Sequence, residues 1–314
     1  MRASVMMATE SKSGVATTIH KFDISDPART VYRGSGNVPG YLLSQWSLSE
    51  FEGVLRVVST DTPAWWGAGG DSQSFLTTLR ASDGALAKLG QIGELGKGDR
   101  VYAVRFIGTV GYVVTFKQVD PLYTLDLSDP ANPQVLGELT IPGYSAYLHP
   151  IGDSLLLGVG QDVDAEGHPL GTQVSLFDVS DLTHPTRLYQ ATLGPGWSEA
   201  ESDHHAFLFW PPTGLLVVPF DQRAVGFRVS RASGITQAGQ ITHTAGELGG
   251  TPVIRRSLVV GSTVVTVSDA GVKTSSLASL VDQGWAAFPA PPPPKPTPGI
   301  GATAGGTTTV PATR

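Results

Sequence analysis

The chain of 314 residues contains no cysteine. That excludes disulfides, thiolate nucleophiles and cysteine-ligated zinc together, while leaving the compartment open, since many exported prokaryotic proteins also lack it. Charge is sparse as well: 15% of residues are charged, the net charge is −6, and no run of lysine or arginine occurs. A nucleic-acid backbone is therefore not an expected partner. Nowhere do roughly 18 apolar residues run together, so no membrane-spanning helix is expected. Met1–Gly14 has one early arginine but no sustained apolar core, and does not read as a signal peptide. Standard catalytic signatures are missing too. There is no GxSxG, no HExxH and no phosphate-cradling GxxxxGK[ST], and no spacing of Ser, His and Asp argues for a triad. Gly34-Ser-Gly36 is a lone glycine pair without the strand–turn–helix setting that a dinucleotide needs.

What the chain does have is a repeat. Asp99–Leu139 reads as four short strands, with apolar and polar residues alternating and Gly, Pro, Asn or Asp at each junction. Phe22-Asp-Ile-Ser-Asp-Pro27, Leu125-Asp-Leu-Ser-Asp-Pro130 and Phe177-Asp-Val-Ser-Asp181 are near-copies, with weaker versions at Leu79-Arg-Ala-Ser-Asp-Gly84 and Phe227-Arg-Val-Ser230. The spacing is about 50 residues, as four-stranded propeller blades require. The motif is a strand end followed by a turn: the aromatic or leucine packs into the sheet, Asp and Ser bond back to local amides, and proline fixes the exit. The 38 glycines and 23 prolines suit such a turn-rich, all-β chain.

The expected fold is an all-β propeller of four-stranded antiparallel blades, about five of them visible and one split or incomplete. Blades are expected at about 41–95, 97–141, 145–193 and 197–244, with a last unit over Thr251–Leu280 that stops short of a fourth strand. Thr17–Ile24 and Thr30–Arg33 look like the third and fourth strands of a further blade. The domain is placed at 15–285, after a disordered 1–14 and before a Pro/Gly/Thr-rich disordered tail at 286–314. The arrangement reads as starting partway through a longer propeller, monomeric unless open blade edges pair.

Several runs resemble a prokaryotic family of predicted secreted β-propeller proteins, distantly related to WD40 repeats and without an established activity. They are residues 17–25, 38–57, 99–150, 158–181 and 198–209, and the resemblance covers about 17–280. It implies an exported or cell-surface protein, with members longer than this chain at the N-terminus.

Three local patterns are candidate sites. Asp162-Val-Asp164-Ala-Glu166-Gly167-His168 has acidic residues and glycine spaced as in a calcium loop. Position 12 is Gln173 rather than glutamate, so it is no EF-hand. It reads either as a calcium site with Asp162, Asp164, Glu166 and the His168 carbonyl as ligands, or as a solvated acidic hairpin. Ser198–His205, if it leads into an inner strand, puts Glu201, Asp203 and His205 on one face and His204 on the other. With His149 and Arg105 near the starts of neighbouring inner strands, these groups either converge on the channel mouth or bond to neighbouring blades. Finally, Trp65 and Trp66 in a Gly-rich loop either stack on sugar rings or a peptide, or plug the channel or pack under the loop. The expected function is a non-catalytic binding module for a protein or glycan. The alternative is a metal-dependent hydrolase or lyase at the channel mouth, using His149, Asp203, His204 and His205.

Overall fold

Strands of alternating character with glycine turns can close only on one another, and the computed structural model shows how they do so. It describes residues 5–11, 14–61, 72–116, 120–164, 166–244 and 251–289. Four sheets are separate four-stranded antiparallel blades: β8–β11 (Arg100–Ile107, Val110–Phe116, Asp120–Asp126, Gln134–Ile141), β12–β15 (Tyr144–Ile151, Leu155–Val163, Pro169–Asp178, Thr186–Gly194), β16–β19 (Leu208–Trp210, Leu215–Phe220, Arg223–Ser230, Gly234–Thr242) and β20–β23 (Ile254–Val260, Thr263–Ser268, Gly271–Ser276, Asp282–Ala287). The remaining sheet joins β1–β3 (Val5–Ser11, Gly14–Asp26, Arg29–Pro39) to the blade β4–β7 (Leu48–Phe51, Val54–Thr60, Ser74–Ser82, Gly84–Leu95).

Three details correct the expectations. The last unit does have its fourth strand, β23, which reaches Ala287 and so runs into the stretch read as tail. Val5–Ser11, read as disordered, pairs along β2 as β1. Gly34-Ser-Gly36 lies on strand β3 rather than in a loop. The proline-rich stretch from 290 lies outside the described residues.

The repeat motif turns out to be the joint between blades. In the four blades β4–β7 to β16–β19 its leading apolar residue lies in the last half of the third strand and is buried against the preceding blade. Leu79 packs with Ile19 and Val38, Leu125 with Val58 and Leu76, Phe177 with Tyr112 and Leu122, and Phe227 with Val159 and Val174. The turn after the motif then docks onto the outer half of that same preceding blade. Thr78 of β6 donates to the Pro130 carbonyl at 2.6 Å, and Thr124 of β10 donates to the Leu182 carbonyl. A glycine beside each threonine makes room for the turn. A Cβ on Gly90 would lie 2.7 Å from the Pro130 oxygen, and one on Gly137 would lie 2.5 Å from the Leu182 oxygen. Between β3 and β7 the same close approach appears as a two-residue parallel pairing, Gly34 to Gly84 and Ser35 to Ala85. Gly137→Ala is therefore expected to cost about 1–3 kcal/mol, because the atoms in the way are two backbone oxygens and a proline ring carbon, none of which can rotate aside. A urea titration checks this, and an unchanged midpoint would show that the joint yields freely.

These joints set the inner strands side by side. The turns before β4 and β16, parts of β8 and β12 and the start of β20 come together there, and the candidate site lies among them. Arg105 and His149, expected near the starts of inner strands, sit in the last half of β8 and β12.

Candidate functional site

The mouth is built from short capped turns as well as strands. Ser44 caps a 3₁₀ turn at Gln45–Ser47, with reciprocal side-chain bonds between Ser44 and Ser47. Ser198 and Glu201 form the same capping box around the turn Glu199–Glu201, and Asp203 caps a second turn at His204–Ala206. This overturns the strand geometry expected for Ser198–His205. The caps satisfy the backbone amides locally, so the inner strand shrinks to Leu208–Trp210 and the two-faced alternation does not exist.

The two turns face each other although they are 159 residues apart in sequence. Gln45 Nε2 lies 3.3 Å from His204 Nδ1, and the indole of Trp46 meets the His204 ring edge-on at 5.0 Å. Between them is a cavity of about 500 Å³, lined by Gln45, Trp46, Tyr102, Tyr147, Glu201 and His204 among others. Its walls combine aromatic faces with an amide, a carboxylate and an imidazole. Concave sites of this size that hold small ligands have this composition.

Arg105 braces the aromatic wall. Its guanidinium stacks 3.9 Å from the centre of the Trp46 ring and 5.2 Å from that of Tyr147. Nε and Nη2 both donate to the Leu148 carbonyl, at 2.9 and 2.6 Å. No carboxylate pairs with it among the described residues, and burial lowers its pKa, though a guanidinium stays charged near neutrality. Arg105 thus acts as a positioning group that holds Trp46 flat.

Glu201 is half-buried in the cavity wall. One carboxylate oxygen accepts from Gln161 Nε2 at 2.7 Å, the Ser198 amide at 3.0 Å and Thr172 Oγ1 at 3.1 Å. Burial raises its pKa, against the lowering effect of these three donors. Asp203 goes the other way. Bonds from the His205 amide lower its pKa first, and it also meets Arg256 Nη2 at 2.5 Å and His205 Nδ1 at 2.9 Å. Arg255 and Arg256 both reach Glu199, at 3.0 and 3.3 Å, which ties the last blade to this rim.

The sequence candidates separate into groups. Asp203, His204 and His205 come together, each offering one ligand atom within 4.8 Å of the others. His149 does not join them. It packs on Phe207 and Phe209 at 4.8 and 5.6 Å, and burial holds its pKa down at about 4. In the acidic hairpin, Asp164, Glu166 and His168 cluster, while Asp162 stays outside and accepts from the Val163 amide. The Asp164 carboxylate takes the amides of Glu166 and His168 at 3.0 and 2.7 Å, and the His168 ring at 3.0 Å. The His168 carbonyl, expected as a ligand, accepts from the Asp164 amide instead. Trp65 and Trp66 lie outside the described residues. Gln45, Trp46, Tyr147, Glu199 and Arg256 were not singled out by the sequence. The Ser44/Ser47 cap gave a local sign of a turn there, but nothing local shows that it crosses to His204.

Among the described residues no helix is long and apolar enough to cross a membrane. Two relatives of known sequence cover much of the chain. An uncharacterised protein of Methanocaldococcus jannaschii is 40% identical over 198 residues, 62% of this chain and 30% of that protein. An uncharacterised protein of Archaeoglobus fulgidus is 42% identical over 211 residues, 67% of this chain and 31% of that one. The chain thus spans under a third of the length of these relatives. A crystal structure of a Lactobacillus plantarum protein superposes with a TM-score of 0.48 at 11% identity, over 90% of this chain and 81% of the other. The beta propeller domain model matches residues 3–280, and the chain belongs to that family.

Proposed function

We propose that this propeller is a non-catalytic binding module that takes a sugar unit of a glycan in the mouth cavity. The carrying observation is the cavity lining itself. Trp46, Tyr102 and Tyr147 offer flat apolar surface, and Gln45, Glu201 and His204 offer directional donors and acceptors. A sugar ring has that two-sided chemistry, an apolar face of C–H groups bordered by hydroxyls. The walls come from separate blades held by buried joints, so the site is preorganised and little ordering accompanies binding. The resemblance to secreted propellers supports an exported or cell-surface setting, where a glycan is the expected encounter.

The test is calorimetric titration of the whole chain with a panel of mono- and oligosaccharides, repeated for Trp46→Ala and Glu201→Gln. The expected result is binding that weakens at least tenfold in Trp46→Ala, the loss of one stacking face in a desolvated pocket. Saccharide binding unaffected by Trp46→Ala would place the site elsewhere, and no binding by any saccharide would sink the glycan reading.

The second reading is metal-dependent hydrolase or lyase chemistry at the same mouth. The observation favouring it is the Asp203–His204–His205 group at the cavity rim.

A further inference from the structure

We propose that Asp203, His204 and His205 bind one divalent transition-metal ion, zinc or its nickel and copper neighbours, at the rim of the mouth cavity. The proposal does not depend on what the cavity takes, and it requires no reaction.

The local fold puts the donors in one place. Asp203 is the cap of the turn His204–Ala206, so its carboxylate is fixed by the His205 amide at 2.9 Å. The same carboxylate oxygen lies 2.9 Å from His205 Nδ1. An ion bound by both groups takes the place of that hydrogen bond, with an Asp203 oxygen and a His205 nitrogen as its ligands. The His204 ring sits beside it, with centroids 3.8 Å apart. His204 also lines the cavity, so an ion here has an open side for water or a ligand.

Two imidazoles and one carboxylate are a donor set for zinc, nickel or copper rather than for calcium or magnesium. The ligand atoms lie within 4.8 Å of one another, whereas donors around a tetrahedral zinc sit about 3.3 Å apart. The His205 side chain is 66% exposed, so the ring has room to turn out of its 2.9 Å contact with Asp203 and bring its nitrogen onto the ion. The acidic hairpin offers a weaker set, with one imidazole and a carboxylate already holding two backbone amides.

One group opposes the ion. Arg256 Nη2 is 2.5 Å from the second Asp203 oxygen, so a metal must compete with a guanidinium for that carboxylate. The arginine is thereby predicted to set the affinity, which gives the proposal a test in both directions.

The experiment is equilibrium dialysis and calorimetry of the whole chain with zinc, nickel and copper chlorides at neutral pH, without saccharide. Copper is also read by electron paramagnetic resonance. The expected result is one ion per chain with nitrogen hyperfine structure, abolished in His204→Ala/His205→Ala. Asp203→Asn is expected to weaken binding about 10–100-fold, and Arg256→Met to tighten it by about threefold to tenfold. His168→Ala is expected to change nothing. Should the double variant lose its circular dichroism, the single His205→Gln, at an exposed position, carries the test. Wild-type protein that takes up no ion, uptake that survives in the histidine variants, or uptake removed by His168→Ala would overturn the proposal. Because no sugar is present, these outcomes are independent of the glycan reading.

Discussion

Phe177→Ala is expected to destabilise the protein by about 3–5 kcal/mol, the cost of emptying a buried aromatic site that cannot collapse. Phe177 is 1% exposed and sits among Tyr112, Leu122, Leu148 and Leu156, which belong to two consecutive blades. Removing the ring therefore opens a cavity across a blade joint rather than inside one sheet. Phe22 occupies the same motif position in the first unit, yet its ring is only partly covered and meets Tyr32, itself 51% exposed. Phe22→Ala should accordingly cost about 1 kcal/mol or less, since less apolar area leaves water. Urea unfolding of the two variants compares them directly. Equal losses would mean that the motif stabilises each strand end locally, and the joint account would fail.

The second large effect is on pH. Stability is expected to fall as pH drops from about 6.5 toward 4, by on the order of 2–3 kcal/mol for each of two histidines. Burial holds both His149 and His243 at a pKa of about 4 in the folded chain, with nearby Arg105 and Lys273 adding to the lowering. Unfolded, they titrate near 6.5. Between these values the unfolded chain binds more protons, so stability rises with pH across the window and is lost on acidification. The geometry agrees with a neutral His243: its nitrogens meet Ser268 Oγ at 2.7 Å and Thr266 Oγ1 at 2.8 Å, one donating and one accepting. Trp285 covers the ring, and Lys273 is paired with Asp282 at 2.6 Å. Glu201 acts in the opposite sense, because burial raises its pKa. The Asp178 carboxylate, held low by Arg231, contributes only below the window. Thermal melts of wild type and His243→Gln from pH 7 to 4 isolate the effect. A variant with the same pH slope as wild type would show that His243 does not titrate in this range.

The architecture was legible because the joint between blades is written locally. An apolar residue, Asp, Ser and a turn recur at a fixed period, and the same few residues that end a strand also dock onto the preceding blade. Where local signals were weak, boundaries went astray. Asp282–Ala287 lacks alternation and is mostly exposed, so nothing in its pattern distinguishes a fourth strand from a tail. Ser198–Glu201 carried a legible capping box, which should have argued for a turn over a strand. The cavity was not legible. Its walls, Trp46 and His204, meet only through the packing of separate blades, and no local spacing encodes a contact between residues so far apart. Asp203, His204 and His205 were visible because they are adjacent in sequence, whereas the Arg256 that restrains Asp203 comes from another blade.

The most direct test of the central claim is to locate a bound saccharide by tryptophan- and histidine-resolved NMR perturbation, or by a crystal soak. The account predicts contacts at Trp46, Tyr102, Tyr147 and His204, with Glu201 accepting from a ligand hydroxyl. Contacts confined to Trp65 and Trp66, with the Trp46 signals unmoved, would contradict it.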